Sequence, residues 1–223
     1  MQIDLTLRLP QREYFEAQHP KSLIVLHHTV GASARSTFEY WLSSRQRIGT
    51  AYIIERDGTV FEVFPPECWA HHIGSIATRS GHRIPARPHS IDRRSIGIEL
   101  ASEGPLMERE CVEGSGNPSA FYAFGGKQKF DGLVWRTAEP WRGCEFFASY
   151  TEPQFVAAVW LVRDLCERFG IPPVTPRDPL SCNPAFATWK GVLGHAHLRP
   201  DKTDPQPQLW DTEFLAAAGL ETQ

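Results

Sequence analysis

Apolar positions along this chain change period in ways that predict its elements. From Ser22 to Leu26 they run almost unbroken through Leu23, Ile24, Val25 and Leu26, the signature of a short buried strand. Gly31 ends that run. Ser36-Thr37-Phe38-Glu39 then has capping-box spacing, and Phe38, Trp41 and Leu42 follow at helical intervals, predicting a helix that stops near Arg47, before Gly49. Ala51 to Arg56 and Thr59 to Phe64 read as two strands joined by Asp57-Gly58, a hairpin signal. Ser95 to Leu100 alternates, with Ile96, Ile98 and Leu100 on one face and Glu99 on the other.

Thr151-Glu152-Pro153-Gln154 is a second capping box. It opens a helix carrying Phe155, Val159, Val162, Cys166 and Phe169, stopped by Gly170. A short strand at Val192-Leu193 leads to His195, and a final helix is expected from about Asp211 to Ala218. Residues 1–21 read as an irregular or edge-strand leader. Residues 102–150 show no clear period, yet their aromatics, among them Phe121, Tyr122, Trp135 and Trp141, argue against plain disorder. With no internal repeat and no linker, the pattern predicts one α/β domain over residues 1–223, a central mixed sheet flanked by helices.

Composition narrows the function classes. A formal net charge of −3 gives no general reason to bind nucleic acid or an anionic membrane. No apolar run approaches the roughly 20 residues of a membrane span. The opening MQIDLTLRLPQREYFEAQ lacks the basic-then-apolar order of a signal peptide, so the chain is expected to be cytoplasmic as synthesised. Five cysteines, odd in number and without a CxxC pair, indicate neither a disulfide framework nor a cysteine-rich zinc knuckle.

The chemistry concentrates in Gly194–Pro205, GHAHLRPDKTDP, which places two histidines, a lysine and two aspartates in one short stretch. Imidazole and carboxylate together suit a borderline metal such as zinc, and a catalytic zinc draws its ligands from more than one element. The donor elsewhere is the His27-His28 pair at the end of the first apolar run. Residue chemistry alone leaves open which histidine of each pair ligates and whether the carboxylate is Asp201 or Asp204.

The segments VLHHTVG, TAYIIERDGTV, SIGIELAS, YTEPQ and GHAHLRPDKTDP occur in the order seen in zinc-dependent N-acetylmuramoyl-L-alanine amidases, and the chain resembles that family and its relatives, the peptidoglycan recognition proteins and phage amidase lysozymes. The resemblance covers residues 22–101 and 150–215 and leaves 102–150 as an insertion, which could serve as a lid beside the site or as a layer away from it. It implies a zinc ion on His27, His195 and Asp204, the ligand set of the muropeptide-recycling type. It also implies Glu99 as the catalytic acid–base and Lys202 as the residue facing the oxyanion. His72 and Trp69, in WAHHIG, resemble a segment near the family's substrate groove, and Arg93-Arg94 could meet a peptide carboxylate. The implied reaction is hydrolysis of the amide between the lactyl group of N-acetylmuramic acid and L-alanine, in peptidoglycan or in soluble muropeptides. The alternative is a module that recognises peptidoglycan without cutting it. A monomer is expected, brought to the wall by a holin or secretion machinery if it acts as an endolysin or toxin. Two departures stand out. Thr50-Ala51 replaces the tyrosine-histidine pair of the phage enzymes, and the stretch from His195 to Asp204 is one residue shorter than the recycling type implies.

Overall fold

The computed structural model describes residues 1–74, 88–109, 120–177, 181–210 and 212–223. Its centre is the apolar run, which forms the fully buried strand β2. After β1 (Ile3–Asp4), β2 (Leu23–His28), β3 (Tyr52–Ile54), β4 (Val60–Glu62) and β5 (Ser95–Leu100) comes a second sheet. It consists of β6 (Pro105–Arg109), β7 (Ala120–Ala123), β8 (Gln128–Phe130), β9 (Val134–Trp141) and β10 (Cys144–Ala148). The pair β11 (Val174–Thr175) and β13 (Glu221–Thr222) stands apart, and β12 (Gly191–Gly194) returns to the central sheet. The helices are α1 (Ala34–Ser44), α2 (Pro88–Arg94), α3 (Glu152–Phe169), α4 (His195–Leu198) and α5 (Thr212–Ala217).

The central order is β1-β4-β3-β5-β2-β12, parallel except where β3 and β4 form the hairpin expected around Asp57-Gly58. β2 pairs in parallel with β5 on one side and β12 on the other. Register then sorts side chains by face. Ile24 and Leu26 lie beside Ile96 and Ile98, packed in a common core with Ala157, Ala158 and Leu161 of α3. The opposite face carries Leu23 and Val25 with Leu193, covered by Ile73, Ile91 and Leu198. The domain is thus an α/β layer structure with a mixed sheet between apolar layers. No described helix is long and apolar enough to cross a membrane.

Local signals act as expected at α3. Thr151 and Gln154 complete a reciprocal capping box, and Gly170 closes the helix in the left-handed region. At α1 the cap sits three residues earlier than the sequence suggested. Ser33 Oγ accepts from the Ser36 amide, while Ser36 and Glu39 lie inside the helix. The larger difference is in residues 102–150, which read as irregular but whose described residues include a five-stranded antiparallel sheet, β8-β7-β6-β10-β9. Its strands are short or mixed in polarity, as in β9 with Arg136, Glu139 and Pro140, so no clean alternation marks them. Helix α2 was not anticipated either. Of the expected last helix, Asp211 lies outside the described residues.

Lys21 fastens the layer beneath the site. Its side chain is buried, and Nζ donates to the carbonyls of Cys68 (2.8 Å), Arg93 (3.0 Å) and Ser95 (3.2 Å). Burial lowers the ammonium to about 8, against the opposing pull of Cys68, Glu67 and Asp92, so it still carries its three donors at neutral pH. Replacing it by alanine strands three acceptors that meet little water. Lys21→Ala is expected to lose about 2–4 kcal/mol of stability, measured as a lower urea midpoint. An unchanged midpoint would show that these carbonyls find other partners.

Candidate metal centre and cleft

Parallel pairing delivers the site residues to one end of the central sheet. His27 is level with Glu99 across β2 and β5, so both side chains leave the same face. Gly194, the last residue of β12, is level with Leu26, and His195 follows at the start of α4. The loop after α4 turns back, with the Ala196 amide donating to the Asp204 carbonyl at 2.8 Å, and this brings the Asp204 carboxylate under the two rings. Nδ1 of His27 lies 3.0 Å from Nδ1 of His195 and 3.0 Å from Oδ2 of Asp204. His195 Nδ1 lies 2.8 Å from the same oxygen. These three buried residues are the metal-capable cluster among the described residues.

Proton accounting shows what this cluster lacks. His195 Nε2 is 3.0 Å from the Ile73 carbonyl, which can only accept, so Nε2 carries the proton and the neutral ring presents a bare Nδ1. For His27 the chain of inference is longer. Ser95 Oγ donates to the Ile91 carbonyl at 2.7 Å and therefore accepts from His72 Nε2 at 2.8 Å. His72 Nδ1 must then accept from His27 Nε2 at 3.0 Å, which leaves His27 Nδ1 bare as well. Two lone pairs thus meet a carboxylate oxygen at hydrogen-bond distance with no proton to share between neutral rings. Only an added positive charge, a proton or a metal cation, relieves that repulsion. Two imidazole nitrogens and one carboxylate oxygen are a donor set suited to zinc. Ligand atoms at ordinary zinc bond lengths stand roughly 3.3 Å apart, so a few tenths of an ångström of opening would admit one.

Electrostatics follow from burial. Loss of solvent lowers His27 to about 4, with the neighbouring His195 adding to the effect and Asp204 opposing it. Burial also lowers His28 to about 4 and pushes His72 well below the usual range. For Asp204 burial works upward, whereas a proton on His195 or His27 would add charge and a hydrogen bond that draw the carboxyl well below its ordinary value. Glu99 moves the other way. Burial raises it well above the carboxylate range, Asp204 adds to this, Lys202 partly offsets it, and Oε2 has no partner among the described residues.

The alternatives left open by the sequence separate clearly. His28 points to the other face and packs on Gly104, where even a Cβ would lie 2.7 Å from its Nε2. His197 turns back to accept from the Gly194 amide at 2.9 Å, among Phe186 and Trp210. Asp201 is paired with Arg199. Lys202 lines a cleft of about 450 Å³ with Gln46, Ile48, His72, Arg199 and His195. The expected substrate contacts differ in placement. The His72 side chain is only 5 % exposed and its ring is held against His27, with the Asp92 carboxylate accepting from its backbone amide at 3.1 Å. Gly97 makes room for it, since a Cβ there would sit 3.0 Å from His72 Nδ1. Trp69 is buried in a 3.9 Å stack on Phe15 and does not line the cleft. Arg93 lies over Trp69, and Arg94 donates to the Trp189 and Ala187 carbonyls. The residues sequence reasoning missed are Ser95, signalled only as the first residue of SIGIELAS, and Asp92, signalled only by closeness to that strand. Tyr150, whose buried hydroxyl is near enough to feel the Asp204 charge, was signalled only as the first residue of YTEPQ.

Residues 17–207 match the family of N-acetylmuramoyl-L-alanine amidases. No curated protein matches the chain. Among solved structures, a point mutant of PlyL is similar at 15% identity and a TM-score of 0.55, with 98% of this chain and 99% of that one covered. The N-acetylmuramoyl-L-alanine amidase LysC from Clostridium intestinale is similar at 15% identity and a TM-score of 0.51, with 99% of each chain covered. AmiD from E. coli, in complex with anhydro-N-acetylmuramic acid-L-Ala-D-gamma-Glu-L-Lys, is similar at 19% identity and a TM-score of 0.51, with 97% of this chain and 63% of that one covered. At these identities the likeness is one of fold.

The lowered histidines make a pH prediction for the metal-free protein. His27 and His28 stay neutral in the fold down to about 4, whereas in the unfolded chain they take up protons near 6.5. The unfolded state therefore binds more protons between these values, and stability falls as pH drops through that window, by about 1 kcal/mol per pH unit for each imidazole. Urea midpoints in chelator should be lower near pH 5 than near pH 7. Equal midpoints would mean that the rings are already charged in the fold.

Proposed function

The chain belongs to the N-acetylmuramoyl-L-alanine amidase family, and from that premise we propose that it is a zinc-dependent amidase cutting the bond between the lactyl group of N-acetylmuramic acid and L-alanine. The observation that carries this reading is the convergence of two unprotonated imidazole nitrogens and one carboxylate oxygen within 3.0 Å. His27, His195 and Asp204 would hold the ion. Bound zinc supplies a Lewis acid and acidifies water near neutral pH.

The chain's own residues supply the rest. Glu99, level with His27 and raised by burial, takes a proton from the attacking water as its oxygen bonds to the amide carbon. The carbonyl electron pair moves onto oxygen, and the Lys202 ammonium faces that negative charge. As the C–N bond breaks, Glu99 returns the proton to the leaving nitrogen of L-alanine. The cleft beside His195 and Lys202 takes the muropeptide. The AmiD complex supports this substrate class, holding an anhydro-muramyl peptide on a similar fold.

The test is digestion of sacculi and of soluble anhydro-muropeptides by metal-loaded protein, with products identified by mass spectrometry. Release of peptide beginning at L-alanine, abolished by chelator and restored by zinc, is the expected result. Glu99→Gln should lower the rate by about 10²- to 10⁴-fold with zinc content unchanged. Binding of zinc and of both substrates without any cleavage would replace this reading with a recognition module.

A further inference from the structure

None of the described residues between 105 and 148 lines the cleft. They meet the loop that carries Lys202 and Asp204 instead. β9 and β10 are joined by Arg142-Gly143, both at positive φ (51° and 78°), a tight turn of the kind that suits the strand twist. The turn aims the Arg142 guanidinium into the loop. Nη2 donates to the Ala196 carbonyl at 2.8 Å, and Nη1 donates to the carbonyls of Arg199 (2.7 Å) and Lys202. The loop is already closed by the Ala196 amide on the Asp204 carbonyl, so the half-buried guanidinium occupies the inside of a ring of backbone between His195 and Asp204. Further contacts tie the same sheet to the following residues. Gln206 Nε2 donates to the Ala148 carbonyl, and Gln208 accepts from the Tyr150 amide and donates to Ser149 Oγ, each at 2.9 Å.

We propose that Arg142 is a positioning residue and that the second sheet is a brace for the metal loop, setting where Lys202 and Asp204 stand relative to His27 and His195; this rests on the metal-dependent reading above. The chemistry requires an arginine. A planar fork with several N–H groups satisfies three carbonyls that diverge around it, of which the Arg199 carbonyl also takes a long 3.4 Å bond from the loop's own Lys202 amide. The loop also contains Pro200, which supplies no amide to the ring, and its turn from Arg199 to Lys202 is closed by a 3.4 Å bond. Without the guanidinium the loop would keep its ends and lose its centre. Ligand position would then fail before the fold does, because Arg142 meets the core at its margin, through the Ala196 carbonyl and the Trp141 ring.

The full chain is tested as Arg142→Ala and Arg142→Lys, beside Arg136→Ala, which breaks an exposed pair with Glu145 in the same sheet. Zinc affinity by chelator competition should weaken about 10- to 100-fold in Arg142→Ala, less in Arg142→Lys, and not in Arg136→Ala. Amide hydrogen exchange should quicken at residues 196–204 while β2 and β5 keep their protection. Added guanidinium below denaturing concentration should restore zinc affinity to Arg142→Ala alone. Parental affinity and parental loop exchange in both Arg142 variants would overturn the brace. If Arg142→Ala does not fold, Arg142→Lys decides by the same measurements, parental values again counting against it. Failure of the parent to bind zinc would instead sink the metal-dependent reading.

Discussion

Two bare imidazole nitrogens facing a carboxylate oxygen at 2.8–3.0 Å form an arrangement that repels itself until a positive charge joins it. Everything nearby serves to hold it in that condition. The Ile73 carbonyl fixes the tautomer of His195, and the relay from the Ile91 carbonyl through Ser95 and His72 fixes that of His27. Burial keeps His27 from taking up a proton as a substitute for a cation. This is the outer-shell logic by which metal-binding histidines are oriented by their second nitrogen.

That outer shell rests in turn on backbone contacts that would otherwise look incidental. Asp92 accepts the amides of His72 and Ile73 at once, so the two adjacent residues that set the tautomers share one carboxylate. Lys21 binds the carbonyls of Cys68, Arg93 and Ser95, joining the segment before His72 to the start of β5. Gly97 leaves the space into which the His72 ring fits. On the other side of the cluster, Arg142 reaches into the loop bearing Asp204. The site is therefore held from two sheets, by donors and acceptors that are scattered in sequence.

Much of the central layer was legible beforehand. The unbroken run at Leu23–Leu26, the Asp57-Gly58 turn, the alternation at Ser95–Leu100 and the Thr151 capping box each became the element they suggested, because each is fixed by neighbours a few residues away. The second sheet was not legible, since its partners are paired across the chain and its strands mix polar and apolar residues on a partly exposed surface. The cap of α1 moved to Ser33 because two serines offered the same chemistry three residues apart.

The sequence by itself determined the inventory: the central strands, the main helix, and a chain with two pairs of candidate histidines, two candidate aspartates, a glutamate in a strand and a lysine in a loop. Only the tertiary structure decided among them. Parallel register put His27 and Glu99 on one face and sent His28 to Gly104, and the hydrogen bond from Gly194 turned His197 away. It also placed His72 behind His27 rather than open in the cleft, and brought Arg142 to a loop more than fifty residues later. The reason is physical. Periodicity and turn chemistry act over a few residues, whereas the direction of a lone pair depends on which carbonyl happens to lie across from its ring.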